Sequence, residues 1–193
     1  VYPSSFGHEI FETTEKYNHQ WMNEDYYFTH ETYPTTALLH NGIDAELLKG
    51  YKKVLETRPF KTELPKFVAQ AGAVQFGFML DFGSFRDIQR HRAVTQRMPL
   101  LTTEHGLEPF YLDALPEDVK KKAEEMVSSQ EEKIKKLNLE PATAQYYTAM
   151  GYNLPNRVTG DLPALVYLVE LRSTRFVHPT LQKRAIEMAN ILE

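Results

Sequence analysis

The chain has 193 residues, a formal net charge of −4 from 22 Lys plus Arg against 26 Asp plus Glu, and no cysteine. That length suits one domain with a sizeable core, and the acidic balance excludes a general nucleic-acid or membrane-surface binder. The missing thiols exclude disulfides, thiolate metal sites and a cysteine nucleophile, while no apolar run approaches the ~20 residues of a membrane helix.

The expectation is therefore a cytoplasmic protein that binds neither nucleic acid nor membrane. The chain starts at Val1-Tyr2-Pro3 without a methionine and stops in mid-pattern at Ile191-Leu192-Glu193, as a piece excised from a longer polypeptide would.

Residues 8 to 33 mix charges with Tyr17, Trp21, Tyr26, Tyr27, Phe28 and Tyr33 without a clean period, and are expected to be helical. Asp44 opens a short helix carrying Leu47, Leu48, Tyr51 and Leu55, ended by Arg58-Pro59. From Val74 to Leu80 the period becomes two, with Val74, Phe76, Phe78 and Leu80 on one face, which predicts a strand. Gly77 within it marks a place for close approach.

Asp81-Phe82-Gly83 spells a kinase metal-binding triplet, but the Gly-rich loop, strand lysine and catalytic loop that a kinase needs are absent. Gly83 reads instead as a strand end before a helix capped by Ser84 with Asp87, which would carry Arg90-His91-Arg92 on its last turn. Cations at a helix C-terminus answer its dipole, yet that accounts for one or two charges, not for Arg86, Arg90, Arg92 and Arg97 together. Arg92 aligns with Phe85 and Ile88, so its guanidinium is expected to face the core or a cleft. A buried guanidinium needs an anion or several acceptors, and a phosphate or pyrophosphate ligand would supply one.

Further along, Pro116 begins a long helix ending near Leu137, 141 to 149 continue as helix, and Tyr152 to Val158 form a strand. Asp161 caps a helix through Thr174, whose stripe of Leu165, Leu168 and Val169 runs on to Arg172. Pro179 starts the last helix. Helices enclosing at least two strands predict an α+β fold. His8, His19, His30, His40, His105 and His178 show no metal-ligand spacing, so no metal is predicted. Nucleophile-elbow, Walker and dinucleotide Gly motifs are also missing, which leaves a bound cofactor as the expected source of any chemistry.

Arg90-His91-Arg92 after a strand, the later DLPALVYLVELR, and His178 with QKRAIE resemble the flavin-dependent thymidylate synthases (ThyX) over roughly residues 60 to 193. The resemblance implies one ThyX-like domain, with an aromatic-rich helical part at 1–58 and a core at 59–193 whose antiparallel sheet is flanked by several helices. It implies reductive methylation of dUMP to dTMP with methylenetetrahydrofolate, FAD and NADPH, in a homo-oligomer whose sites draw on several subunits. It further implies FAD contacts from Arg90, His91 and Arg92, and nucleotide binding by Arg172.

Several positions depart from that pattern. Leu100 and Thr102 stand where the family has a serine and a phosphate-gripping arginine, and Asp87 stands for a glutamine. Asp161, Pro163 and Tyr167 replace an asparagine, an arginine and an asparagine, and the family's upstream segment is not recognisable in RPFKTELPKF. Two arrangements fit: a composite site completed by a second ThyX-like copy, or a catalytically inert ThyX-like domain for assembly or nucleotide or flavin binding. An unrelated anion-binding interaction domain is the third reading.

Overall fold

A computed structural model describes residues 9–22, 28–59 and 62–193. It shows an α+β fold in which a four-stranded antiparallel sheet, in the order β1-β2-β4-β3, carries helices on one face. The central pair is β2 (Ala73–Asp81) and β4 (Asn153–Asp161), joined in unbroken register from Ala73 opposite Asp161 to Asp81 opposite Asn153. The edges are β1 (Ala37–Asn41), which shifts register between Leu38 and His40, and β3 (Thr95–Arg97).

Alternation along β2 places Val74, Phe76, Phe78 and Leu80 on the helix side, as the sequence predicts. There they meet Phe85 and Ile88 of α4 (Phe82–Ile88), Leu165, Leu168 and Val169 of α8 (Leu162–Arg172), and Leu181 and Met188 of α9 (Pro179–Leu192). Removing each such side chain from water is worth about 1.5–3 kcal/mol, so this layer sets the positions of α4 and α8. A smaller cluster, Leu101, Tyr152 and Leu154 with Phe82 and Val127, holds α6 (Glu117–Leu137) against the end of the sheet.

Both central strands end in an aspartate that caps the next helix. Asp161 accepts from the Ala164 amide at 2.9 Å. Asp81, fully buried, accepts from the Ser84 amide at 2.9 Å, the Tyr111 hydroxyl at 3.0 Å and the Thr180 hydroxyl at 2.7 Å. Burial, and after it the Asp81 charge, pushes the Tyr111 hydroxyl up to about 12.

This cap corrects the expectation around Ser84. Because pairing with β4 runs as far as Asp81, the aspartate and not the serine becomes the N-cap, and Phe82 and Gly83 are the first helical residues. The helix then ends at Ile88, so Arg90, His91 and Arg92 lie in the turn beyond it and not on its last turn. Gln96 stabilises that ending, its side-chain amide donating to the carbonyls of Ile88 at 2.7 Å and His91 at 2.9 Å. Carbonyls that further helix would have used are satisfied from β3 instead.

The N-terminal stretch is helical over α1 (Glu9–Met22), while residues 1–8, 23–27 and 60–61 lie outside the described residues. From Phe28 to Thr36 the chain is irregular rather than helical, and β1 also falls within the 1–58 stretch expected to be helical. Tertiary contacts override local preference here. Glu31 accepts from Arg157 through both oxygens at 2.6 and 2.7 Å, and the Phe28 ring lies 4.2 Å from the same guanidinium. Tyr33 sits on Gly77, where an added Cβ would come within 2.7 Å of its ring. The close approach read from Gly77 is thus made by Tyr33.

The remaining elements follow their punctuation. Asp44 caps α2 (Ala45–Gly50) through the Glu46 and Leu47 amides, but Tyr51 breaks the expected single helix and α3 (Lys52–Glu56) follows. After α5 (Phe110–Asp113), α6 runs its full predicted length and stops at Asn138 in the left-handed region, φ 46°. The expected helix over 141–149 is α7 (Pro141–Ala144) plus a 3-10 turn at Gln145–Tyr147. Among the described residues no helix is long and apolar enough to cross a membrane.

Candidate functional site

The turn after α4 and the C-terminal end of α8 meet. Arg172 Nε donates to His91 Nε2 at 2.9 Å and a terminal nitrogen of Arg172 donates to the Asp87 carbonyl at 2.7 Å. The other terminal nitrogen lies 3.8 Å from the Asp87 carboxylate, and only 12% of the Arg172 side chain is exposed. The cation at the edge of the apolar stripe, expected from Leu165, Leu168 and Val169, is in place. Its partners are 81 and 85 residues away in sequence, which α8 periodicity alone could not supply.

His91, not Arg92, is the buried member of the triplet, at 7% exposure. Of the two settings expected for Arg92, the core or a cleft, the core is not the one it takes: Arg92 is exposed, because the early end of α4 changes the phase of everything after Ile88. Arg90 is exposed too, with its Nε 3.6 Å from Asp87 Oδ1. That separation and exposure make a weak pair. Arg90 and Arg172 therefore share the single Asp87 carboxylate, which leaves the region cationic.

The Arg172 bond assigns the His91 ring as neutral, with Nε2 accepting and the proton on Nδ1. Burial, then the neighbouring Arg172, push His91 below its ordinary value of 6.5, with Asp87 pulling the other way. A tyrosine completes the arrangement: the Tyr167 ring stands edge-on to His91, centroids 5.9 Å apart at 62°.

Arg90, His91, Arg172 and Tyr167 line one cleft of about 480 Å³, together with Leu171, Thr174 and the exposed ring of Phe176. Two arginines beside two aromatic rings form a donor set that fits a flat, anionic ligand: guanidinium groups match phosphate oxygens and the rings offer stacking faces. Of the residues read from sequence, the structure brings Arg90, His91 and Arg172 to this cleft. Arg92, Leu100 and Thr102 do not line it. Leu100 and Thr102 instead follow β3, where the Leu101 amide donates to the Gln145 side chain and the Thr102 hydroxyl accepts from the Glu104 amide.

Sequence reasoning had no signal for Gln96 as the residue that closes the turn, since its role depends on β3, a three-residue polar strand. Among the described residues no group of three or more His, Asp or Glu could hold a metal ion.

No protein-family model matches the chain. It is 38% identical over 103 residues to a UPF0159 protein of Chlamydia pneumoniae, 34% over 116 residues to one of Chlamydia muridarum, and 32% over 117 residues to one of Thermoplasma acidophilum. These matches cover 52%, 59% and 60% of this chain, but only 19%, 22% and 23% of the relatives. The chain is similar over more than half its length to proteins of which the matched stretch makes up about a fifth.

Proposed function

We propose that this is a ThyX-like domain whose Arg90–His91–Arg172 cleft binds FAD, and that it takes part in the FAD- and NADPH-dependent methylation of dUMP with methylenetetrahydrofolate. The observation that carries the reading is the meeting of the two segments that resemble the family: Arg172 of α8 bonds directly to His91 of the triplet. Bound there, FAD would supply hydride transfer. The residues of this chain would do the holding, Arg90 and Arg172 by charge and Tyr167 and Phe176 by their rings.

The nucleotide's phosphate lacks the family's serine and arginine here, since Leu100 and Thr102 hold those sequence positions and neither lines this cleft. A second ThyX-like domain, or another copy in a homo-oligomer, would provide those groups. The relatives are several times longer than the matched stretch, which leaves room for such a domain. The same replacement favours a second reading, a catalytically inert domain that keeps the flavin and serves assembly.

The test is dUMP-dependent NADPH oxidation by the full-length protein with FAD and methylenetetrahydrofolate, compared with Arg90→Ala and Arg172→Ala. Oxidation that falls at least tenfold in both variants supports the enzyme. Flavin bound without dUMP-dependent oxidation supports the inert domain. Equal oxidation in all three proteins removes the site.

A further inference from the structure

The donors of Arg172 are unevenly used. Nε is taken by His91 Nε2 at 2.9 Å and one terminal nitrogen by the Asp87 carbonyl at 2.7 Å. The other terminal nitrogen faces Asp87 Oδ2 at 3.8 Å, beyond hydrogen-bond distance. Arg90 turns its Nε to the second oxygen of the same carboxylate at 3.6 Å. One acidic group therefore draws on both guanidiniums without hydrogen-bonding to either.

Asp87 lies on the last turn of α4 and does not itself line the cleft that Arg90 and Arg172 line. Its carboxylate acts from outside the wall, on the two groups that form it. The Arg172 nitrogen left over from the internal bonds and the Arg90 guanidinium are the donors that a bound phosphate would use. A phosphate inside the cleft and the carboxylate outside it draw on the same nitrogens.

The carboxylate has two opposing effects: it helps to order Arg90, which favours binding, and it offsets both charges, which opposes binding. The Arg90 side chain is 74% exposed and its contact is long, so the ordering is weak. Arg172 is fixed by His91 and by the Asp87 main chain, with no need of the carboxylate. Competition is then the larger effect, and two guanidiniums against one carboxylate leave the cleft a single net positive charge.

We propose that Asp87 sets the anion affinity of this cleft, competing with a ligand's phosphate for Arg90 and Arg172 so that charge alone holds a small anion weakly. The inference rests on the reading of the cleft as an anion site, and not on the anion belonging to a flavin. Asp87 stands where the resembled family has a glutamine, so the competition is a property of this chain.

The probe is inorganic pyrophosphate, its affinity measured by titration calorimetry on the unaltered chain and on Asp87→Asn, Asp87→Glu and Arg90→Ala. Asparagine removes the charge at the same size, and the main-chain carbonyl that holds Arg172 is retained. Glutamate keeps the charge and, one methylene longer, reaches the nitrogens that aspartate stops short of. Asp87→Asn should bind pyrophosphate about fivefold tighter, the scale of two exposed ion pairs released. Asp87→Glu should bind it about threefold more weakly than the unaltered chain, and both differences should shrink as salt is raised. Unchanged or weaker binding in Asp87→Asn overturns the competition. So does unchanged or tighter binding in Asp87→Glu, which would reduce the effect of Asp87 to a general field. Binding that weakens in Arg90→Ala while both Asp87 variants match the unaltered chain leaves the anion cleft standing without the competition. If pyrophosphate binds none of the four proteins, the anion reading of the cleft falls and this inference with it.

Discussion

His91 concentrates what is testable at the level of single residues. In the folded protein its Nε2 must stay unprotonated to accept from Arg172, and its pKa is lowered by burial and by that arginine. The unfolded chain, with an ordinary histidine near 6.5, takes up the proton first as pH falls. Stability linked to His91 is therefore complete above about pH 6.5 and declines between there and the lowered folded value. Urea midpoints measured from pH 7.5 down to pH 5 should fall in the unaltered protein, and His91→Gln, which offers an uncharged acceptor at every pH, should flatten that part of the profile. An unchanged slope in His91→Gln assigns the pH dependence elsewhere. Glu31 and Glu187, both held below the ordinary carboxylate value against the opposing effect of burial, contribute only at lower pH. The pH dependence from His30, raised by its hydrogen bond and charge contact with Glu104, has the opposite sign and is lost as pH rises.

Elements show where local pattern was enough and where it was not. β2, α6, α8 and α9 were readable because alternation, a proline at the first turn or a capping aspartate each acts within a few residues. β1 and β3 were not, since β1 is mostly exposed along Leu38 to Asn41 and β3 has only Thr95, Gln96 and Arg97. Both exist because a long neighbour, β2 or β4, offers an edge to pair with. The start of α4 was misplaced for a related reason: Ser84-x-x-Asp87 is a reasonable cap on its own, but pairing with Asn153 delivers Asp81 to the capping position.

The two capping aspartates make a controlled comparison. Asp161→Ala removes one amide partner and should cost about 1 kcal/mol. Asp81→Ala also takes the acceptor from the half-buried Tyr111 hydroxyl, while the Thr180 hydroxyl keeps Ser84 and His178 as partners, and should cost about 2 kcal/mol. Chemical denaturation of both variants checks the ranking, and equal losses would mean that the Asp81 network adds nothing beyond its cap.

At the scale of the whole molecule, the candidate site was legible in composition but not in geometry. A cluster of arginines in an acidic chain pointed to a local anion site, and the two family-like segments named Arg90, His91, Arg92 and Arg172. Which guanidinium turns inward depends on where α4 ends, and that depends on Gln96 and Asp81, so the sequence pointed to Arg92 where the fold buries His91.

Arg90 gives the cleanest access to the central claim. Arg172 is structural as well as lining the cleft, and Arg172→Ala would leave the Asp87 carbonyl and His91 Nε2 without their donor, at about 1–3 kcal/mol. The Arg90 side chain is 74% exposed and weakly paired, so its loss leaves the fold intact. The decisive measurement is FAD titration of the unaltered chain and of Arg90→Ala at equal thermal stability. Saturable binding that weakens about tenfold in Arg90→Ala, with the loss shrinking as salt is raised, is what the account predicts. Saturable binding of equal strength in both proteins would contradict it.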